Sequence, residues 1–245
     1  VNEQQINEYA IKILDNLTRL SNGIRHEISK EIATQLFSNM KSVDISKILS
    51  SFIENDLLDT KIDWVNSVCK KLPVLVLLKS FGFEENDCAF ISDKIDSFVK
   101  TMLPQKTEDQ VNAINQYSEE LYLLVEKQLF SLSFFNSLLI KTSDQHQLST
   151  EEIIPVPVSN FLGLCIQSFD AGRGILSNSL LQIIQHITFL NKTEIEKSVI
   201  ETLRFDPPIH NTRRIATDDF YIGEGQIKKG DSILIVLAWA NRDPK

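Results

Sequence analysis

Residues 199–245 read VIETLRFDPPIHNTRRIATDDFYIGEGQIKKGDSILIVLAWANRDPK. The run begins as a helix, because Ile195, Val199, Ile200 and Leu203 recur at spacings of three and four on one apolar face. Glu201 and Arg204 share a face of that helix and are placed to pair. Pro207 and Pro208 stop it, since proline supplies no N–H and its ring clashes with the preceding turn. Extended segments are expected at 213–216, 220–222 and 232–237, separated by Gly223-Glu224-Gly225 and Lys229-Gly230-Asp231. Ala240-Asn241-Arg242-Asp243-Pro244 closes the run. An isolated Glu-x-x-Arg is ordinarily a surface ion pair that stabilises a helix by about 0.2–0.5 kcal/mol. Here the pair gains meaning only from the proline stop and the extended segments downstream of it.

The chain has 245 residues, 42% hydrophobic and 24% charged, the make-up of an ordinary globular protein. That length admits one domain or two small ones. Glycine and proline are sparse, at 8 and 7, which favours long helices over a turn-rich sandwich. The net charge of −8 argues against nucleic acid as a partner, because phosphate binding needs clustered Lys and Arg. Three scattered cysteines, Cys69, Cys88 and Cys165, point to reduced thiols in the cytoplasm rather than to a disulfide framework. The opening VNEQQINEYA lacks the apolar region of a secretory signal. No apolar run approaches the ~20 residues needed to span a bilayer, so no membrane partner is expected.

Helical spacing recurs along the chain. A first helix over 4–20 carries Ile6, Tyr9, Ala10, Ile13, Leu14 and Leu17 on one side, and Ser21-Asn22-Gly23 breaks it. A second, over about 24–40, turns Ile28, Ile32, Leu36 and Phe37 inward. An amphipathic segment covers 43–56. Pro73 fits a helix start, and the apolar run 74–78 reads as buried core. Further helices are expected at 84–102 and, after a polar loop at Pro104, from Thr107 into an aromatic region around Phe130, Phe134 and Phe135. Those rings either line a substrate channel or are ordinary core. Residues 142–150 read as a polar loop with an exposed His146 that has no metal-ligating companions. Ser149 to Glu152 offers helix-capping chemistry. From 158 to about 190 a proline-free helix is apolar nearly all round, as a buried central helix should be.

Taken together, Glu-Thr-Leu-Arg, Pro-Pro, Arg-Arg-Ile-Ala-Thr-Asp-Asp, Gly-x-Ile-x-x-Gly and Asn-Arg-Asp-Pro, in this order and spacing, resemble the cytochrome P450 family. Residues 60–83 resemble the family's D–E region. The resemblance implies a mainly α fold with a small β region near the C-terminal end, a single partial domain over 1–245. The central helix would be the family's I helix, and the Glu201–Arg204 helix its K helix. It also implies heme b as cofactor. The family binds the heme iron through a Cys in a Phe-x-x-Gly-x-x-x-Cys-x-Gly loop beyond the Asn-Arg-Asp-Pro. Here the chain stops at Lys245 and its cysteines all lie upstream, so no residue present is expected to ligate the metal. The sequence reads as an interior piece, without the N-terminal strands and the Cys-ligand segment, and inactive by itself.

The resemblance also assigns site residues. Aligned on Phe37, His26 and Lys30 fall on a His-x-x-x-Arg that contacts the heme propionates. Spaced four apart on a helix they point the same way, although Lys lacks the bidentate fork of Arg. A solvated face is the alternative. Arg214 matches a propionate-binding Arg, whose guanidinium gives two parallel bonds to a carboxylate; the alternative is an edge-strand charge that discourages aggregation. Ile209 and His210 are candidate pocket residues, and Glu201 and Arg204 are structural.

Ala171 and Gly172 match the small pair of the I-helix motif Ala-Gly-x-(Asp/Glu)-Thr-Thr, which leaves an oxygen-binding groove. In that motif the acid and the alcohol relay protons. Here the acid position holds Gly174, and the alcohol positions hold Ile175 and Leu176. Asp170 and Arg173 lie close in sequence, but one residue is about 100° of helix rotation, so neither simply substitutes. Three readings stay open. Water or a substrate hydroxyl carries the protons; or peroxide drives the reaction, with Arg173 binding a substrate carboxylate; or catalysis has been lost. Arg173 alternatively pairs with Asp170. With Ile175 and Leu176 it joins the substrate-pocket candidates. The link over 190–194 is short for the family's J helix.

The expected function is a heme-thiolate monooxygenase, or a fragment of one, inserting one oxygen atom from dioxygen into a small apolar substrate. A ferredoxin- or flavodoxin-type protein would donate electrons. The alternatives are a peroxygenase and a non-catalytic remnant unable to ligate heme iron.

Overall fold

The computed structural model describes residues 6–56, 62–103, 105–186 and 191–243. Asn7 caps the first helix, α1 (Glu8–Asp15), by accepting the Ala10 N–H at 2.9 Å. That helix was expected to reach residue 20. Instead Thr18–Leu20 is a separate 3-10 turn, and α2 (Gly23–Ser38) comes after the break at Ser21-Asn22. Next come α3 (Ile45–Asp56), a π-helical turn (Trp64–Cys69), α4 (Leu72–Ser80) with Pro73 in its first turn, and α5 (Glu85–Val99). α6 (Glu108–Ser131) opens on a reciprocal Thr107–Gln110 cap and bends by 97° into α7 (Phe135–His146). The predicted loop over 142–150 is therefore wrong for most of its length. Thr142 is buried, and the break is at Gln147, whose φ of 55° ends the helix.

α8 (Thr150–Ile153), α9 (Pro155–Gln167), a second π-helical turn (Ser168–Gly172) and α10 (Arg173–His186) form one helical run of 37 residues. Ser149 starts it: its hydroxyl accepts the Glu152 N–H at 3.3 Å, and the Glu152 carboxylate accepts the Ser149 N–H at 2.8 Å. The run thus begins earlier than the expected Val158, and Pro155 is accommodated at the start of α9, where a missing N–H is tolerated. The run is long and apolar enough to cross a membrane, contrary to expectation, but 72% of its apolar window is buried inside the protein, as in a core helix. Its predicted end near 190 and the loop at Pro104 lie outside the described residues.

α11 (Lys192–Phe205) leads into β1 (Thr212–Ile215), β2 (Phe220–Ile222), β3 (Gly225–Ile227), β4 (Ser232–Ile235) and α12 (Leu237–Ala240). β1 pairs antiparallel with β4, Arg214 opposite Ile233. β2 pairs with β3 across Gly223-Glu224, where Gly223 takes a φ of 58° that suits glycine. The extended run expected to reach 237 stops at Ile235, because Leu237 starts α12.

The chain divides into two compact units, Val1–Asp170 and Ala171–Lys245, with the division inside the second π turn. The first unit holds one continuous core, to which Ile13, Ile32, Leu78, Ile95, Val125 and Phe161 contribute. Phe161 meets Phe81 edge-on at 5.0 Å and stacks on Phe83 at 5.4 Å. Phe135 is buried and meets Phe130 edge-on at 5.1 Å. Phe37, expected inward, is exposed: it falls off the Ile28–Ile32–Leu36 stripe by about 100°. In the second unit Pro207 and Ala216 are the buried apolar side chains among the described residues. Ile195, Ile200 and Leu203, on the expected apolar face of α11, are exposed.

Candidate functional site

The second unit is built around the C-terminal end of α11. Glu201 and Arg204 form a two-point pair there: Arg204 Nε donates to Glu201 Oε2 at 2.8 Å and Nη2 to Oε1 at 2.5 Å. The bond from Arg204 lowers the Glu201 pKa. The third guanidinium nitrogen, Nη1, donates to the Asn241 carbonyl at 3.1 Å, and Asn241 Nδ2 donates back to the Leu203 carbonyl at 3.4 Å. Arg242 finishes the joint. Its Nε donates to the Phe205 carbonyl at 2.8 Å, and its guanidinium lies 4.3 Å from the centre of the Phe205 ring. The last carbonyls of a helix have no partners of their own and form its negative end. Asn241 and Arg242 satisfy two of them. The sequence reading gave Arg242 no role, although a basic residue returning to a helix C-terminus is a recognisable signal.

Gly174, the second residue of α10, packs against Pro208: a Cβ on Gly174 would lie 2.6 Å from Pro208 Cβ. The space a Cβ would take at residue 174 is therefore occupied by the Pro208 ring. Asn178 Nδ2 donates to the Asp206 carbonyl at 3.0 Å, tying α10 to the end of α11. Arg173, Ile175 and Leu176 come directly after the π turn that contains Ala171 and Gly172, and all five are half-buried. Ile209 and His210 are exposed; His210 Nε2 lies 3.6 Å from Asp206 Oδ1. Arg214 is exposed on β1, and its Nη1 donates to Thr212 Oγ1 at 2.7 Å and to its neighbour's carbonyl at 2.8 Å. A cavity of ≈ 410 Å³ between α10 and α11 is lined by Gln182, His186, Lys197, Glu201, Thr202 and Phe205.

In the first unit, Asn160 of α9 organises the chain ahead of α2. Its Oδ1 accepts the Thr18 N–H at 2.9 Å and the Thr18 hydroxyl at 2.5 Å, while Nδ2 donates to Asn16 O at 2.9 Å and Val156 O at 2.8 Å. The Thr18 carbonyl in turn accepts from His26 Nδ1 at 2.9 Å. His26 is thus oriented through Thr18 by the central helix. Lys30 is exposed and lines a cleft of ≈ 240 Å³ together with Arg19, Thr34, Phe37, Gly163 and Gln167. Among the described residues no carboxylate lines this cleft. Arg19 and Asn160 escaped the sequence reading, because their roles depend on chain segments far apart in sequence. His146, expected to be exposed, has a side chain only 12% exposed, 3.7 Å from Glu31 of α2. The fold of α7 against α2 buries it.

A family profile described as Cytochrome P450 matches residues 181–245. The biotin biosynthesis cytochrome P450 of Bacillus subtilis is 25% identical over 194 residues, covering 75% of this chain and 48% of that protein. The pulcherriminic acid synthase of the same organism is 22% identical over 236 residues, covering 91% of this chain and 58% of its own length. Among solved structures, CalO2 superposes over 96% of this chain and 62% of its own with a TM-score of 0.78 at 16% identity. P450BioI, in complex with an acyl carrier protein ligated to hexadec-9Z-enoic acid, superposes over 100% of this chain and 66% of its own, with a TM-score of 0.71 at 17% identity.

The chain is similar to the cytochrome P450 family in the sequence of residues 181–245, and its fold is that of the P450 structures. It spans about half the length of the curated P450 relatives it matches. The P450 fold accounts for the mainly α architecture with its small β region, and heme is the cofactor that comes with the family.

The described residues fit this group only in part. The cleft of Arg19 and Lys30 offers cations without a competing acid, which suits the carboxylates of a porphyrin. The iron is different. Cys69, Cys88 and Cys165 are all buried, and burial raises each thiol pKa, Cys88 to about 11. None of the three lines the cleft of Arg19 and Lys30.

Proposed function

We propose that this chain forms the I-helix and K-helix portion of a cytoplasmic heme-thiolate monooxygenase that inserts one oxygen atom from dioxygen into a small apolar substrate. The observation that carries this reading is the joint of Glu201, Arg204, Asn241 and Arg242, where the chain returns after the small sheet to close the end of α11. The heme would supply the oxidation chemistry, and the protein orientation and pocket shape. In this reading His26, Lys30 and Arg214 serve the propionates. Ala171 and Gly172 leave room for dioxygen, and Arg173, Ile175, Leu176, Ile209 and His210 face the substrate. A ferredoxin- or flavodoxin-type donor supplies electrons. Because Pro208 fills the space beside Gly174, water or a substrate hydroxyl delivers the protons.

The same Gly174–Pro208 contact favours a second reading, in which peroxide is the oxidant and Arg173 holds a substrate carboxylate. The deciding experiment is the spectrum of the reduced, CO-treated, heme-loaded full-length protein. A thiolate-type band is expected, and its absence removes both readings. Turnover with peroxide and no reductase, weakened for carboxylate substrates by Arg173→Ala, selects the second.

A further inference from the structure

Two π-helical turns, Trp64–Cys69 and Ser168–Gly172, occur among the described residues. Such turns are rare, occur as single-turn bulges, and gather at functional sites. Lys70 joins these two. It caps the first, its N–H donating to the Val65 carbonyl at 3.0 Å. Its ammonium lies 5.4 Å from the ring centre of Phe169, a residue of the second turn that is 3% exposed. Asp96 of α5 holds the ammonium there at 3.3 Å, and Lys100 braces Asp96 at 3.2 Å. A cation over an aromatic face is attracted by the ring quadrupole, more strongly when both are partly desolvated.

We propose that Lys70 is a positioning residue: locked by Asp96, it pins Phe169 and so keeps the Ser168–Gly172 turn in its π-helical register. The turn contains Ala171 and Gly172, so the chemical value of the register rests on the heme reading above. The pinning itself does not.

The test is hydrogen–deuterium exchange on the full chain without heme. Lys70→Met keeps the apolar stem and removes the charge. Amides of 168–172 should then exchange about two- to fivefold faster, with those of α6 unchanged. Lys70→Arg should restore slow exchange. Lys94→Met removes a comparable cation, 4.9 Å from the Tyr117 ring, and should leave 168–172 unaltered. Unchanged exchange in Lys70→Met, a uniform rise through the first unit, or failure of Lys70→Arg to rescue overturns the proposal. If Lys70→Met does not fold, Asp96→Asn decides, and protection at 168–172 must still fall. Loss of the expected CO spectrum with these exchange results intact would remove the heme reading and leave the pinning standing.

Discussion

Gly174 and Asn160 show how single residues set the local geometry. A methyl group at 174 would overlap the Pro208 ring, which cannot swing aside as a long side chain would. Gly174→Ala should therefore destabilise the chain by about 1–2 kcal/mol in denaturant titration, although alanine by itself favours helix by about 1 kcal/mol. Gly174→Glu, which writes the missing acid back into the motif, should cost more and restore no proton relay. Asn160 is almost fully buried and serves the chain on both sides of Thr18. Asn160→Ala leaves the Thr18 N–H and the Asn16 carbonyl without partners. A loss of about 2–3 kcal/mol is expected, read from the denaturation midpoint.

At the scale of elements, two charged clamps hold the ends of helical segments, and both have a defined pH dependence. Arg204 holds Glu201 below the usual carboxylate range. Burial opposes the charge on Asp96, but the bonds from Lys100 and Lys70 outweigh it and lower its pKa too. A carboxylate whose folded pKa is depressed contributes stability above its unfolded value, near 4, and loses it as pH falls through the folded value. Both clamps should therefore be insensitive to pH between about 5 and 8 and dissolve below about 4. Exchange in the last turn of α11 and at 168–172 should rise together on acidification. Glu201→Gln should abolish the acid response in α11 alone.

Over the whole molecule the two units differ in how much apolar surface they bury. The first has a core drawn from α1, α2, α4, α5, α6 and α9. In the second, Trp239 is 80% exposed, Ile184 78% and Ile200 68%. Burial of apolar area is the main driving force that opposes chain entropy, so the second unit is held chiefly by its hydrogen-bonded joint and its two ribbons. Limited proteolysis should cut within 171–243 first and leave 6–170 as the surviving fragment. A hydrophobic dye should bind the intact chain and lose most of its signal when that fragment is isolated. Equal cleavage of both units would contradict this contrast.

Local pattern alone determined the existence of most helices, though not all their ends, along with the break at Ser21-Asn22, the cap at Ser149, the Pro207-Pro208 stop and the order of motifs that resembles the cytochrome P450 family. Each depends on neighbours within a turn or two, where spacing, capping and missing N–H groups act directly. Only the tertiary structure decided what fills the space beside Gly174, which residue closes α11, and how His26 is oriented. It also decided that His146 is enclosed while Phe37 and the apolar stripe of α11 face outward. These outcomes depend on segments separated by tens of residues, and periodicity says which side of a helix is apolar without saying what covers it.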